Sequence, residues 1–183
     1  MDHYIDIRVL PDPEFKETTL MNALYAKLHR VLHKTTEGRV GVSFPHFNKN
    51  LGDILRLHGT HQDLALLIDQ PWLQGLKDYC NASDILTVPT DPQYRVVRRK
   101  QIKSQHNKRA RSINKGWLSE QQALEQIPDE AQKPVKLPYA QIKSLSNGNV
   151  MRIYVEHQPL LTIPTPGLFS SYGLSTTATV PWF

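Results

Sequence analysis

Hydrophobic and polar positions alternate from Tyr4 to Val9. Ile5, Ile7 and Val9 fall on one face and Tyr4, Asp6 and Arg8 on the other, the two-residue period of a half-buried strand. Pro11 and Pro13 end it. Thr18 or Thr19 can then cap a helix, along which Leu20, Leu24, Leu28, Val31 and Leu32 recur at helical spacing until Gly38. Arg39–Phe44 predicts a strand stopped by Pro45, and Asp53–Gly59 another. Gln62–Ile68 predicts a helix, and Pro71 begins a short one running to Cys80. A loop with Pro89 and Pro92 leads into Gln93–Lys100, a further strand. This β-α-β-β-α-β order is the ferredoxin-like arrangement, shared by RNA-recognition modules.

Beyond it, Ser119 caps a helix that runs toward Ile127 and stops at Pro128. Residues 139–157 read as a hairpin around Asn147-Gly148, because the tightest hairpin turn needs positive φ at both central residues. The last 25 residues are short strand-like runs broken by prolines and glycines; the closing Val-Pro-Trp-Phe is expected in the core. The predicted fold is α+β: an N-terminal ferredoxin-like (RRM-like) domain at 1–94, and a smaller, irregular β-rich C-terminal domain at 95–183 that carries a basic helix.

Charge sharpens this division. The chain of 183 residues has 22 Lys and Arg against 17 Asp and Glu, a net of +5. Nine of the bases (Arg95, Arg98, Arg99, Lys100, Lys103, Lys108, Arg109, Arg111 and Lys115) lie between Pro92 and Ser119, where there is no acid. The remaining 13 bases face all 17 acids, a net of −4. A mildly acidic body with one basic segment predicts a polyanionic partner, and nucleic acid is the usual one. On a helix, Lys108, Arg111 and Lys115 fall at i, i+3 and i+7 as one stripe with Arg109 beside it. Such a helix suits the phosphates of A-form RNA, whose deep groove isolated side chains read poorly. Arg99 and Gln101, two apart on an extended strand, point the same way; their side chains suit guanine and adenine edges.

Other chemistries lack their residues. No apolar run approaches the roughly 18 residues of a membrane span, and the opening residues show no signal-peptide pattern. The single Cys80 excludes a disulfide framework and multi-thiolate zinc, and fits a reducing cytoplasm. No Gly-x-Gly-x-x-Gly, phosphate-binding loop or Gly-x-Ser-x-Gly elbow occurs. His29 and His33 have metal-ligand spacing, but Arg30 stands where a metalloprotease carries its glutamate. One chemistry needs no metal: RNA supplies its own nucleophile, the 2′-hydroxyl, and an imidazole titrating near ~6.5 suffices as base. Periodicity alone does not choose between His29 and His33.

Several segments are long and unusual in composition: MDHYIDIR, PDPEF, LMNALYAKLH, GVSFP, LRLHG, PWLQGL, the R-K-Q-I-K-S run, IPDE, LPYAQIKSLSNG, SYGLS and VPWF. In these the chain resembles, essentially end to end, the CRISPR precursor-RNA processing endoribonucleases of subtype I-F. The resemblance implies cytoplasmic, cofactor-free and metal-independent cleavage of the repeat stem-loop at the 3′ base of its stem. The 2′-hydroxyl would attack, leaving a cyclic phosphate and a 5′-hydroxyl. It also implies retention of the mature guide RNA within a surveillance complex of further protein subunits. A hairpin-binding subunit without turnover is the alternative.

By position, His29 resembles the family's catalytic histidine, Ser144 the serine that fixes the ribose, and Tyr172 a tyrosine that orients the histidine. Arg99 and Gln101 resemble the pair reading bases at the foot of the stem, with Lys103 in the same run. Ser146 and Asn147 match RNA-contacting positions, and Lys108, Arg109, Arg111 and Lys115 fall on the basic helix. Two departures stand out. Ala110, Ser112, Asn114 and Gly116 interrupt that helix, and Met151 replaces a phenylalanine that stacks on a base, offering van der Waals cover without a π face.

Overall fold

The computed structural model describes residues 1–102, 104–129, 135–143 and 148–183. Its first sheet is built from β1 (His3–Val9), β2 (Gly41–Ser43), β3 (Ile54–Gly59), β4 (Cys80–Ala82) and β5 (Leu86–Thr87). The strands run in the order β2-β3-β1-β4, with β5 also on β1. Helices α1 (Glu17–Thr36) and α2 (His61–Ile68) supply the two crossovers. That is the ferredoxin-like order, and the α+β class expected from the sequence is borne out.

The identity of the fourth strand is a correction. The segment near Arg95 was expected there, but it is β6 (Gln93–Lys100) and belongs to a second sheet. There it lies between β8 (Val150–Leu161) and β9 (Thr179–Trp182), with β7 (Tyr139–Lys143) on the far side of β8. The reason is geometric: β4 covers the outer edge of β1 at Ile7–Val9 and β5 covers it at His3–Tyr4, so no ladder is left for β6. Three largely exposed residues, Cys-Asn-Ala, have too little alternation to announce a strand. The short helix expected from Pro71 is likewise two 3₁₀ turns, Pro71–Leu73 and Lys77–Tyr79, leading straight into β4.

The apolar stripes meet as the spacing predicts. Ile5, Ile7 and Val9 pack with Leu20, Leu24, Leu28 and Leu32 of α1, Leu55 and Leu57 of β3, and Leu64 and Leu67 of α2. Each fully buried side chain of this kind contributes about 1.5–3 kcal/mol. Helix α1 is capped two or three residues earlier than its expected threonine caps: Lys16 is the N-cap and gives no side-chain bond. Thr60 caps α2 by accepting from the Asp63 amide. The strand pairing of the expected hairpin is borne out, with Tyr139 opposite Tyr154 and Lys143 opposite Val150; Asn147 of the expected Asn147-Gly148 turn lies outside the described residues. The closing segment is only partly in the core, a correction: Val180 and Pro181 are buried and Trp182 half-buried, but Phe183 is 39% exposed, its ring 4.1 Å from the Arg56 guanidinium that grips Asp6 with two bonds of 2.6 and 2.8 Å.

Residues 1–100 and 137–183 form one compact unit, and residues 101–136 a second. The second is a helical hairpin of α3 (Gln105–Asn114) and α4 (Glu120–Gln126). Ser104 caps α3, and Ser119 caps α4 in a reciprocal capping box with Gln122. No helix among the described residues is long and apolar enough to cross a membrane.

Candidate active site and nucleic-acid interface

The face of α1 that buries Leu24, Tyr25, Leu28 and Leu32 places His29 at the edge of the core, half-buried, and leaves His33 exposed one turn on. The His29 Nδ1 lies 2.9 Å from the Ser171 carbonyl oxygen. A carbonyl only accepts, so Nδ1 is the nitrogen that donates. In the neutral ring, Nε2 therefore keeps a free lone pair. That is the tautomer a general base needs, and it distinguishes His29 from His33 where periodicity did not.

Tyr172 holds the ring's plane. The two rings are stacked with centroids 4.0 Å apart and an interplanar angle of 1°. The Arg99 guanidinium carbon sits 5.0 Å from the Tyr172 ring centre. The backbone beneath is stapled: the Tyr25 hydroxyl donates to the Tyr172 carbonyl at 2.8 Å, and the Val42 amide donates to the Gly173 carbonyl at 2.8 Å. Burial raises the Tyr25 hydroxyl well above its ordinary acidity range, so it stays a donor. Gly173 has φ +68°, and a β-carbon there would run into the Val42 side chain.

Three of the expected residues, His29, Tyr172 and Arg99, are thus brought together. Ser144, Ser146, Asn147 and Lys103 lie outside the described residues. Gln101 is exposed just past β6, which ends at Lys100. Met151 stands on β8 opposite Ile142.

Within the second unit, the basic side chains divide into two groups. Lys108, Arg111 and Lys115 are exposed, Lys115 as the C-cap of α3. Arg109 faces inward with 12% of its side chain exposed, donating to the Ile127 carbonyl at 2.7 Å and to Asp129 at 2.8 Å. On β6, Arg98 pairs with Glu156 at 2.7 Å, and Lys100 lies 3.8 Å from the same carboxylate. Arg98 holds that carboxyl below its usual range. The acid-free window is therefore less cationic than its composition: some of its charge is answered by acids from distant sequence.

Sequence reasoning missed Tyr25 and the Ser171 carbonyl. The first reads as one more core residue of α1. The second is a backbone atom with no residue-type signal.

Comparison with known proteins gives the family. The family model for CRISPR-associated protein (Cas_Csy4) matches residues 4–183. A CRISPR-associated endonuclease Cas6/Csy4 of Escherichia coli (strain UTI89 / UPEC) is 50% identical over 184 residues, covering 100% of both chains. One of the same name from Pseudomonas aeruginosa (strain UCBPP-PA14) is 41% identical over 187 residues, again covering 100% of both. The resemblance read from the motifs is borne out: this chain belongs to the Cas_Csy4 family of CRISPR-associated proteins.

Proposed function

We propose that this protein is an endoribonuclease that cuts CRISPR precursor RNA at the 3′ base of the repeat stem-loop, without a metal or cofactor. The observation that carries the reading is the fixed tautomer of His29. Its Nε2 accepts the proton of the 2′-hydroxyl, and the oxygen attacks the adjacent phosphorus. The bond from phosphorus to the 5′-oxygen breaks, and that oxygen takes up a proton, leaving a 2′,3′-cyclic phosphate and a 5′-hydroxyl. A positioned base of this kind contributes typically ~10²–10⁴-fold. As His29 becomes an imidazolium, the stacked face of Tyr172 attracts the new charge, by about 0.5–2 kcal/mol. The Ser171 carbonyl keeps accepting from Nδ1.

Residues 1–94 supply the base and residues 95–183 the RNA-binding surface. Ser144 fixes the ribose, with Ser146 and Asn147 beside it. Arg99, Gln101 and Lys103 meet the foot of the stem, Met151 covers a base, and Lys108, Arg111 and Lys115 take phosphates. The cleaved hairpin stays bound, as the guide RNA of a surveillance complex with other protein subunits. The basic stripe alone would serve a binder without turnover equally well; the oriented imidazole favours cleavage. The experiment is incubation with the cognate repeat in EDTA, beside a substrate carrying 2′-deoxy at the nucleotide before the cut. The first is expected to be cleaved and the second to remain whole. Cleavage of the deoxy substrate would refute the internal nucleophile.

A further inference from the structure

Trp117 is an aromatic ring held in solvent at the end of the basic helix. It is 64% exposed. Its backbone is nevertheless fixed. The Trp117 amide donates to the Ser112 carbonyl at 3.0 Å, and the Gly116 amide to the Ile113 carbonyl at 2.8 Å, with Gly116 at φ +68°. These two bonds form the Schellman closure of α3. An apolar residue at this position ordinarily packs back onto the residue that accepts its amide bond. Here that residue is Ser112, which offers it no apolar surface. The ring instead faces the Lys115 ammonium, 4.5 Å from its centre. A large apolar ring, locked at its backbone and flanked by a cation, is poorly explained as core. The cation also argues against an apolar protein partner, since docking one would bury the Lys115 charge.

We propose that Trp117 is a stacking platform for an unpaired nucleobase in the loop of the bound RNA hairpin. This rests on the hairpin-binding reading above. Paired bases are already stacked on their neighbours, so only an unpaired base has a face to offer. The loop is the expected source because the chain enters α3 directly after Arg99 and Gln101, the residues proposed for the foot of the stem. Trp117 follows the opposite end of a helix of ten residues, about 15 Å long. Lys115 adds a cation to the ring and a contact for the phosphate of the same nucleotide.

Trp117 is far more exposed than buried Trp72 or half-buried Trp182, so its fluorescence reports the contact. Titrate the protein with the cognate repeat stem-loop, and with the same RNA made abasic throughout the loop or trimmed of its flanks. The intact and the trimmed RNA are expected to quench, and the abasic one to leave emission nearly unchanged. Trp117→Ala is expected to raise Kd about 5- to 150-fold, with Trp117→Phe recovering part of it. Neither variant removes a charge, so the dependence of Kd on salt is expected to keep its slope, whereas Lys115→Ala lowers it. Equal Kd for Trp117→Ala and the unaltered protein would overturn the proposal, as would full quenching by the abasic loop. If the unaltered protein does not bind the hairpin at all, the parent reading falls with it; tight binding that ignores Trp117 refutes this inference alone.

Discussion

Removing the Tyr172 ring tests whether His29 is a positioned base or merely a nearby imidazole. The histidine is held by two contacts: the 2.9 Å bond from Nδ1 to Ser171 and the coplanar stack at 4.0 Å. Tyr172→Ala deletes the second and spares the first, because Ser171 contributes only its backbone. The Tyr25 bond also survives, since it ends on the Tyr172 carbonyl. An aromatic pair of this geometry is worth about 0.5–1.5 kcal/mol beyond its buried area. If that energy holds the ring in its reactive orientation, losing it slows the chemical step about 2- to 13-fold. Weaker charge stabilisation on the imidazolium adds to this, so the expected slowing is about tenfold or more. Tyr172→Phe keeps the ring and is expected to stay within about twofold of the unaltered protein. The assay is single-turnover cleavage at saturating protein, with product affinity measured alongside. A Tyr172→Ala protein that cleaves at the normal rate would refute the positioning role. So would a Tyr172→Phe protein as slow as Tyr172→Ala, because the hydroxyl would then be the functional group.

Further outcomes follow from the rest of the molecule. Burial depresses His58 and His157 to about 3, with the Arg56 and Arg95 charges adding to the effect. The unfolded chain binds these protons first, so both contributions are complete above pH ~6.5 and fall away as pH drops toward 3. Stability at pH 7 and pH 5, measured by denaturant titration, should differ by on the order of 2 kcal/mol per histidine, and His157→Phe should flatten the slope; stability independent of pH contradicts the neutral burial. Arg109→Ala removes a charged hydrogen-bond donor that joins α3 to the end of α4, and is expected to cost about 1.5–3 kcal/mol, read as earlier loss of helical signal on heating; unchanged melting would mean the pair contributes nothing. Gly173→Ala adds a side chain at positive φ against Val42 and is expected to destabilise by about 2–4 kcal/mol, while cutting slows because Tyr172 is displaced. Replacing Lys108, Arg111 and Lys115 together should lower the salt slope of RNA binding by up to about 0.9 for each phosphate that is no longer neutralised; an unaltered slope would free the stripe of its assigned role.

Much of the fold was legible because its core obeys simple periods. Ile5, Ile7 and Val9 alternate and are buried as predicted, and the leucines of α1 fall on one stripe that faces them. The strand at Arg95 was visible as a strand but not as a member of the second sheet. Pairing is a choice among partners, and the partner that displaced it on β1 was three residues of Cys-Asn-Ala. For the site, residue type led to an imidazole on α1 but not to which one, and it was the motif resemblance that singled out His29. What periodicity could not supply is the Ser171 carbonyl, 142 residues away, and a ring that folding lays against His29 at an angle of 1°. Similarly, Arg109 and Arg111 look alike in the sequence. Only the arrival of Asp129 and the Ile127 carbonyl assigns one to the hairpin's own stability and leaves the other exposed.

The most direct test is a time course of repeat cleavage in EDTA by the unaltered protein and by His29→Ala, with hairpin affinity measured for both. A rate lower by at least about a hundredfold in His29→Ala, with binding intact, is the predicted result. Equal rates for the two proteins would contradict the assignment of His29 as the base.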